Sequence, residues 1–114
     1  MKTSSAKSKG RRLQQWTRDA ILGNHPSLEP DDVRSTSMGA SGEDVLLSPA
    51  ARKLVPFSIE CKNLARMAFY QWYDQAVDNT PEGVEPMVVA KMNRRKPMVI
   101  VDAEFFFNNY RSTK

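Results

Sequence analysis

Three charged residues in the middle of the chain have the types and spacing of a catalytic site. Glu60 and Lys62 stand two positions apart in a segment, Pro56 to Lys62, that alternates between apolar and polar residues. Because side chains two positions apart on a β-strand share a face, this carboxylate and this amine should lie side by side. Asp44 lies upstream in a predicted hairpin, and pairing of its strand with the next would bring the two acids together.

Two carboxylates beside one amine suit a divalent cation. Ionised carboxylates at close range repel each other and raise the pKa of one of them, unless a cation lies between them. Mg²⁺ fits because it binds one or two carboxylates together with water and phosphate oxygens, and Mn²⁺ can take its place. The lysine would then orient or deprotonate the attacking water and stabilise charge on the phosphorus-bound oxygens. The alternative is a solvated ion pair worth about 0 to 1 kcal/mol.

The pattern around these residues predicts a small α/β domain built on one mixed sheet flanked by helices. Apolar residues at helical spacing indicate helices at about Lys9 to Leu22 and at Leu64 to Val77. Pro49 and the basic pair that follows it predict a turn, and Asp102 should cap a final helix. The order is then a helix, a three-stranded antiparallel meander, a helix, two strands and a helix. The strands are expected at Val33 to Ser37, Asp44 to Leu47, Pro56 to Lys62, Met87 to Lys91 and Pro97 to Val101.

Positive charge is concentrated at the start of the chain. The first 18 residues hold six lysines and arginines and no acid. Residues 1–8 are rich in serine and lysine and are expected to form a disordered basic arm, followed by one domain over residues 9–111. Such a block favours a polyanion and salt-sensitive phosphate contacts, and the alternative is a solvated terminus without a partner.

The composition limits the class of protein. The chain has 114 residues, a net charge of +4, 40% hydrophobic residues and one cysteine. This is enough for one core, and Cys61 alone allows no internal disulfide, which is typical of a reducing compartment. No apolar run approaches the roughly 20 residues that span a bilayer, and the basic start lacks the apolar stretch of a secretory signal. The sequence therefore predicts an intracellular protein that is not in a membrane.

With these residues in view, the chain resembles the PD-(D/E)xK nuclease superfamily, and within it the small phage and archaeal-type Holliday junction resolvases. The resemblance extends from Lys9 to about Val101. It rests on four pieces, KGRRLQQW, VRSTSMGASGEDVLL, FSIECKN and PMVVAKMNRRKPMVIVD. It implies a restriction-endonuclease-like core and a Mg²⁺-dependent endodeoxyribonuclease that acts on four-way junctions or other branched DNA. A phage protein of this kind would work in the host cytoplasm.

The resemblance assigns roles to individual residues. Asp44 and Glu60 look like the metal-binding acids, and Lys62 looks like the catalytic lysine. The backbone carbonyl of Cys61 would complete the metal ligands, while its side chain is expected in the core. Gln75 matches a glutamine that related nucleases present from the helix behind the site.

Two positions depart from the resolvase pattern. Gln14 stands where members of this group commonly have a glutamate, which leaves open whether one or two metals bind. Glu43 stands in place of the proline before the acid. The residues expected to contact DNA are Lys7, Lys9, Arg11, Arg12, Arg34, Ser37, Met38, Lys91, Arg94 and Arg95.

Aromatic residues of the later helices exceed what one small sheet can cover. They predict a homodimer, which would supply the two cuts that a symmetric junction needs. Alternatively, these rings complete the core of a monomer. Two other functions remain open: a nicking, homing or restriction-type nuclease of the same fold, and a basic DNA-binding module without catalysis. The aromatic residues concerned are Trp72, Tyr73, Phe105, Phe106 and Phe107.

Overall fold

The computed structural model describes residues 2–36, 42–63 and 68–109. The helices in this part of the chain are α1 (Lys2–Asn24), α2 (Pro49–Leu54), α3 (Phe69–Asp78) and α4 (Ala103–Asn109). The strands are β1 (Val33–Ser35), β2 (Val45–Leu47), β3 (Phe57–Asn63), β4 (Glu85–Lys91) and β5 (Met98–Ile100). The α/β class predicted from the sequence is therefore confirmed.

The strands form two sheets rather than one. β1 and β2 make an antiparallel hairpin, while β3 pairs in parallel with β4, and β4 pairs antiparallel with β5. The predicted three-stranded antiparallel meander is therefore wrong. The hairpin is instead attached to β3 by a backbone hydrogen bond from Asp44 N–H to the Ile59 carbonyl, 3.1 Å long. Alternation along a strand marks its faces but not its partners, and α3 provides the crossover that a parallel pair requires.

Both faces of the mixed sheet are covered. On one face the core is formed by Leu13, Val33, Val45, Ala51, Ile59, Cys61 and Val89. On the other face Trp72 of α3 packs with Val88 and Ala90. Because Glu60 and Lys62 pair with these last two residues, their side chains also lie on the α3 face. The alternation in the sequence marked this face of β3 as charged, and the face is buried because parallel strands are usually covered on both sides.

The first helix differs from the prediction at its start. It runs from Lys2, whereas residues 1–8 were expected to be disordered and the helix to begin near Lys9. The low hydrophobicity of this stretch indicated disorder, but adding turns to a helix that is already packed against a sheet costs little. No helix in the described ranges is both long and apolar enough to cross a bilayer.

A short helix replaces the turn predicted after the hairpin. Ser48 caps α2, because its Oγ accepts a hydrogen bond from Ala51 N–H at 3.1 Å and Pro49 occupies the first helical position. The cap predicted at the last helix is confirmed, since Asp102 Oδ1 accepts from Phe105 N–H at 2.8 Å. The predicted helix Leu64 to Val77 is observed from Phe69, and residues 64–67 lie outside the described residues.

Candidate active site

Asp44 is held where the hairpin meets β3. Its backbone N–H donates to Ile59, and its carbonyl accepts from the backbone N–H and the Oγ1 of Thr36, at 3.0 and 3.2 Å. Its side-chain Oδ2 accepts from the Cys61 backbone N–H at 2.8 Å. The backbone therefore fixes this carboxylate on the strand that carries the second acid.

Glu60 and Lys62 form an ion pair next to Asp44. The distance from Lys62 Nζ to Glu60 Oε2 is 3.1 Å, and the side chains are only 20% and 10% exposed, respectively. Period-2 spacing placed these two groups on one face, as predicted. The structure brings the three charged groups together, although the hairpin contacts β3 through single hydrogen bonds rather than a ladder.

Burial dominates the electrostatics of the site. Desolvation raises the pKa of Asp44 to about 6, and the nearby Glu60 carboxylate adds to the rise. The Cys61 N–H and the Lys62 ammonium act in the opposite direction but do not cancel it. Two acids and one amine leave one negative charge in excess, which is an environment that favours a cation.

The oxygen atoms around Asp44 fit Mg²⁺. The N–H and C=O groups of one strand residue point to the same edge, so the Cys61 carbonyl faces the side from which its N–H reaches Asp44. Two carboxylates and a carbonyl are hard oxygen donors, and Mg²⁺ commonly takes one or two carboxylates and keeps several waters. Within the described ranges no set of three or more His, Cys, Asp or Glu side chains could hold a metal ion. A metal here would therefore rely on two acids and non-acidic oxygens.

An ion pair beside the site was not predicted. Arg52 of α2 binds Glu43 through two parallel contacts, Nη1 to Oε1 and Nη2 to Oε2, both 2.8 Å. Arg52 Nη1 also donates to the Phe57 carbonyl at 2.7 Å. One guanidinium thus joins the residue before Asp44 to the start of the strand that carries Glu60. The signal in the sequence was Glu43 itself, which stands where the nuclease motif that the chain resembles has a proline.

The two glutamines lie on different elements. Gln75 is exposed on α3, one position before the buried Ala76. Within the described part of the chain its side chain makes no hydrogen bond to Asp44, Glu60 or Lys62. Gln14 is only 2% exposed and lies on the buried side of α1, together with Leu13 and Thr17.

The Cys61 thiol is a core group, as expected. It lies 3.7 Å from the Thr17 hydroxyl of α1. Burial raises its pKa to about 12, so the nucleophilic thiolate is not accessible near neutral pH. The thiol of Cys61 therefore packs in the core, whereas its backbone N–H holds the Asp44 carboxylate.

Part of the predicted DNA-contacting set meets in one pocket. Lys9 and Arg12 of α1 line it together with Lys91 of β4, and its volume is about 260 Å³. Arg94 and Arg95 line a second hollow of about 530 Å³ around the turn between β4 and β5.

The remaining predicted contacts are dispersed. Lys7, Arg11 and Arg34 are exposed, the last on β1. Ser37 and Met38 lie outside the described residues. Arg18, part of the same basic block, has a structural role instead, because its Nε donates to the Val33 carbonyl at 2.8 Å.

The aromatic residues divide into two groups. Trp72 is buried between α3, to which it belongs, and the mixed sheet, and Phe105 packs edge-on against Phe57, with ring centroids 5.5 Å apart. These two rings complete the core of the single chain. Phe106 and Phe107 are exposed at the surface, and their rings pack edge-on with centroids 5.4 Å apart.

Comparison of the chain with protein-family models, with curated proteins and with solved structures finds no match.

Proposed function

We propose that this chain is a Mg²⁺-dependent endonuclease that hydrolyses DNA phosphodiesters at Asp44, Glu60 and Lys62, with four-way or other branched DNA as substrate. The observation that carries the proposal is the meeting of two largely buried carboxylates beside one amine. A buried ion pair adds little to stability, because removing charges from water costs about as much as their attraction returns. A buried acid with a raised pKa beside a charged partner is instead typical of a functional site.

Each group has a defined part in the proposed reaction. Asp44 and Glu60 would hold the metal ion, with the Cys61 carbonyl as a further oxygen ligand. When bound there, Mg²⁺ would supply Lewis-acid stabilisation of charge on the phosphoryl oxygens and make water a better nucleophile. Lys62 would contribute its positive charge beside those oxygens and orient the attacking water. Its amine is already held within 3.1 Å of Glu60.

The arrangement of basic residues supports a DNA substrate. Lys62, Ala90 and Met98 form one row across the three strands, all on the face covered by α3. Ala90 and Met98 also line the hollow of the basic turn, together with Arg94 and Arg95. A phosphate backbone held by this turn would therefore lie along the same sheet face as Lys62. Contacts of this kind position DNA without reading its sequence.

A homodimer is part of the proposal. Phe106 and Phe107 on α4 and Tyr70 on α3 are large apolar side chains that are 42%, 73% and 86% exposed, respectively, in the single chain as described. Burying such rings between two copies would be favourable. Two copies would also place two hydrolytic sites on a symmetric junction.

One observation favours a second candidate function. Lys62 is paired with Glu60, and Asp44 accepts from a backbone N–H, so the groups satisfy one another without a metal. A non-catalytic DNA-binding module would keep these contacts for structure alone.

A cleavage assay separates the candidates. A labelled four-way junction and a linear duplex of equal length are incubated with the protein in Mg²⁺, in Mn²⁺ and in EDTA. Paired symmetric nicks in the junction alone support the resolvase, and equal cutting of both DNAs supports a structure-indifferent nuclease. DNA that is bound but intact in both metals supports the binding module.

A further inference from the structure

We propose that the pocket between α1 and the carboxyl ends of β3 and β4 binds one unpaired nucleotide of the DNA. The base would stack on Trp16, and a phosphate would lie among three cations. The inference rests on the proposed function in one respect only, that DNA is the polymer bound. The residues of the pocket that carry the argument are Lys9, Arg12, Trp16, Asn63, Lys91 and Asn93.

The cations point to an anion. Lys9, Arg12 and Lys91 come from two separate elements, and no Asp or Glu lines the pocket within the part of the chain that the structure describes. Arg12 Nη1 donates to the Ser8 hydroxyl at 2.9 Å, and Lys91 Nζ donates to the Met92 carbonyl at 3.3 Å. These partners are neutral, and among the described residues no acid is paired with Arg12 or Lys91. A phosphate is the group that three such donors suit best.

The other lining groups point to a base. Trp16 is 51% exposed although it lies on the side of α1 that faces the pocket, which leaves indole surface available for stacking. Asn63 and Asn93 bring amide groups, which can both donate to and accept from a base edge. Asn63 Oδ1 is buried and has no hydrogen-bond partner in the described ranges, while its Nδ2 reaches the Lys9 carbonyl at 3.5 Å. The exposed indole and the exposed Asn93 amide are therefore the groups that a base in the pocket can contact.

The size and position of the pocket exclude a paired base. A volume of about 260 Å³ suits a single base, and a base can enter such a pocket only after leaving the stack. Asn63 follows Lys62 directly on β3, but its side chain lies on the opposite face of the sheet. A strand cut near Lys62 would therefore have to leave the duplex and turn around the end of the sheet to reach the pocket. Strands that part from a duplex are a feature of branched DNA.

Tryptophan fluorescence tests this directly. The chain has two tryptophans, and Trp72 is buried, so Trp72→Phe leaves Trp16 as the sole reporter. This protein is titrated in EDTA with a single-stranded oligonucleotide, with an abasic oligonucleotide of the same length, and with a blunt duplex. We expect saturable quenching by the first alone, and about tenfold weaker binding of the abasic strand.

Substitutions give a second, independent measurement. Trp16→Ala and Lys91→Gln, each followed by fluorescence anisotropy with labelled DNA, should weaken single-strand binding about tenfold and duplex binding less than twofold. Lys53→Gln is the matched control, because Lys53 is exposed on α2 and is not among the residues that line the pocket. Circular dichroism confirms that each variant is folded, and Lys91→Gln keeps the test available should Trp16→Ala unfold.

Two results would overturn the proposal that the pocket binds an unpaired nucleotide. The first is quenching that is equal for single strand and duplex, and the second is binding of the abasic strand as tight as that of the normal strand. Because these titrations contain no metal, they are independent of cleavage. Selective quenching together with intact DNA in Mg²⁺ would refute the nuclease but keep the pocket. Cleavage of branched DNA without selective quenching would refute the pocket but keep the nuclease.

Discussion

The backbone N–H of Cys61 donates a hydrogen bond to Oδ2 of Asp44 at 2.8 Å, and this bond ties the first acid to the strand that carries the second. A backbone donor inside a strand cannot rotate away, so it restricts the carboxylate more strictly than a side chain would. Glu60, the next residue back along β3, is held in turn by Lys62 at 3.1 Å. The proposed metal ligands are therefore arranged in advance by strand geometry.

Removing either acid should abolish cleavage and spare DNA binding. Asp44→Asn and Glu60→Gln keep shape and volume but remove the charge that would hold Mg²⁺, so we expect cleavage to fall to the level seen in EDTA, roughly 10²-fold or more below the wild type. DNA affinity should stay the same or rise slightly, because a negative charge is lost. Single-turnover cleavage and anisotropy measure the two quantities separately. Asp78→Asn, at an exposed position of α3, is the control and should cut like the wild type.

Lys62→Ala should reduce the rate rather than the affinity. The ammonium lies beside Glu60 and would stabilise charge that develops in the transition state, so its loss should cost about 10²- to 10³-fold in the chemical step. Lys53→Ala removes an exposed lysine of α2 and serves as the comparison. An equal decrease in both variants would mean that only overall charge matters.

Asp44 makes stability depend on pH. Burial raises its pKa from 3.8 to about 6, so the folded state binds this proton more tightly than the unfolded chain does. The resulting stability is complete below pH 3.8 and is lost as the pH rises through about 6. In EDTA at pH 7.5, Asp44→Asn should therefore melt roughly 2 to 4 °C above the wild type. The difference should disappear near pH 4, and thermal melts across this range measure it.

The same variant reports metal binding without catalysis. A ligand that binds only the folded state raises its melting temperature. Mg²⁺ should therefore raise the melting temperature of the wild type and leave that of Asp44→Asn unchanged. An equal rise of the melting temperature in both proteins would show that Mg²⁺ does not bind at Asp44.

The contacts of Arg52 should stabilise the fold and also hold the residue before Asp44 in place. Its guanidinium makes two contacts to Glu43 and one to the Phe57 carbonyl, so Arg52→Ala leaves a mostly buried carboxylate without its partner. We expect a loss of about 2 to 3 kcal/mol in the free energy of unfolding by urea denaturation. Arg52→Lys keeps the charge but not the paired geometry and should recover only part of the loss. Full recovery would show that charge alone is enough.

The start of α1 should contribute salt-dependent affinity. Deleting residues 2–8 removes Lys2 and Lys7, so the slope of log affinity against log salt should flatten by up to about 2. The double variant Lys2→Ser, Lys7→Ser keeps the length of the chain and should give the same slope. A slope equal to that of the wild type in both proteins would place these lysines outside the DNA interface.

The local pattern of the sequence correctly predicted that Glu60 and Lys62 lie side by side. Period-2 alternation placed Glu60 and Lys62 on one face, and both are found there. A capping carboxylate at Asp102 predicted the start of α4, which the structure confirms. Such features depend on neighbours a few residues apart, so they can be read from a single sequence.

Pairing between distant segments was not predictable in the same way. The parallel pairing of β3 and β4 depends on the packing of α3 across them. The pattern of residues along one strand does not predict that packing. The same pairing buries the charged face that alternation had marked on β3. The contact between Glu43 and Arg52 depends on α2, which was not predicted from the sequence. Pro49 is compatible both with a turn and with the first turn of a helix, so it does not distinguish the two.

The most direct test of the central claim is metal-dependent cleavage of a four-way junction by the wild type and by Asp44→Asn at matched concentrations. The account predicts nicked product for the wild type in Mg²⁺, none in EDTA, and none for the variant although it still binds the junction. Wild-type protein that binds the junction and leaves it intact in both Mg²⁺ and Mn²⁺, or a variant that cuts as fast as the wild type, would contradict it.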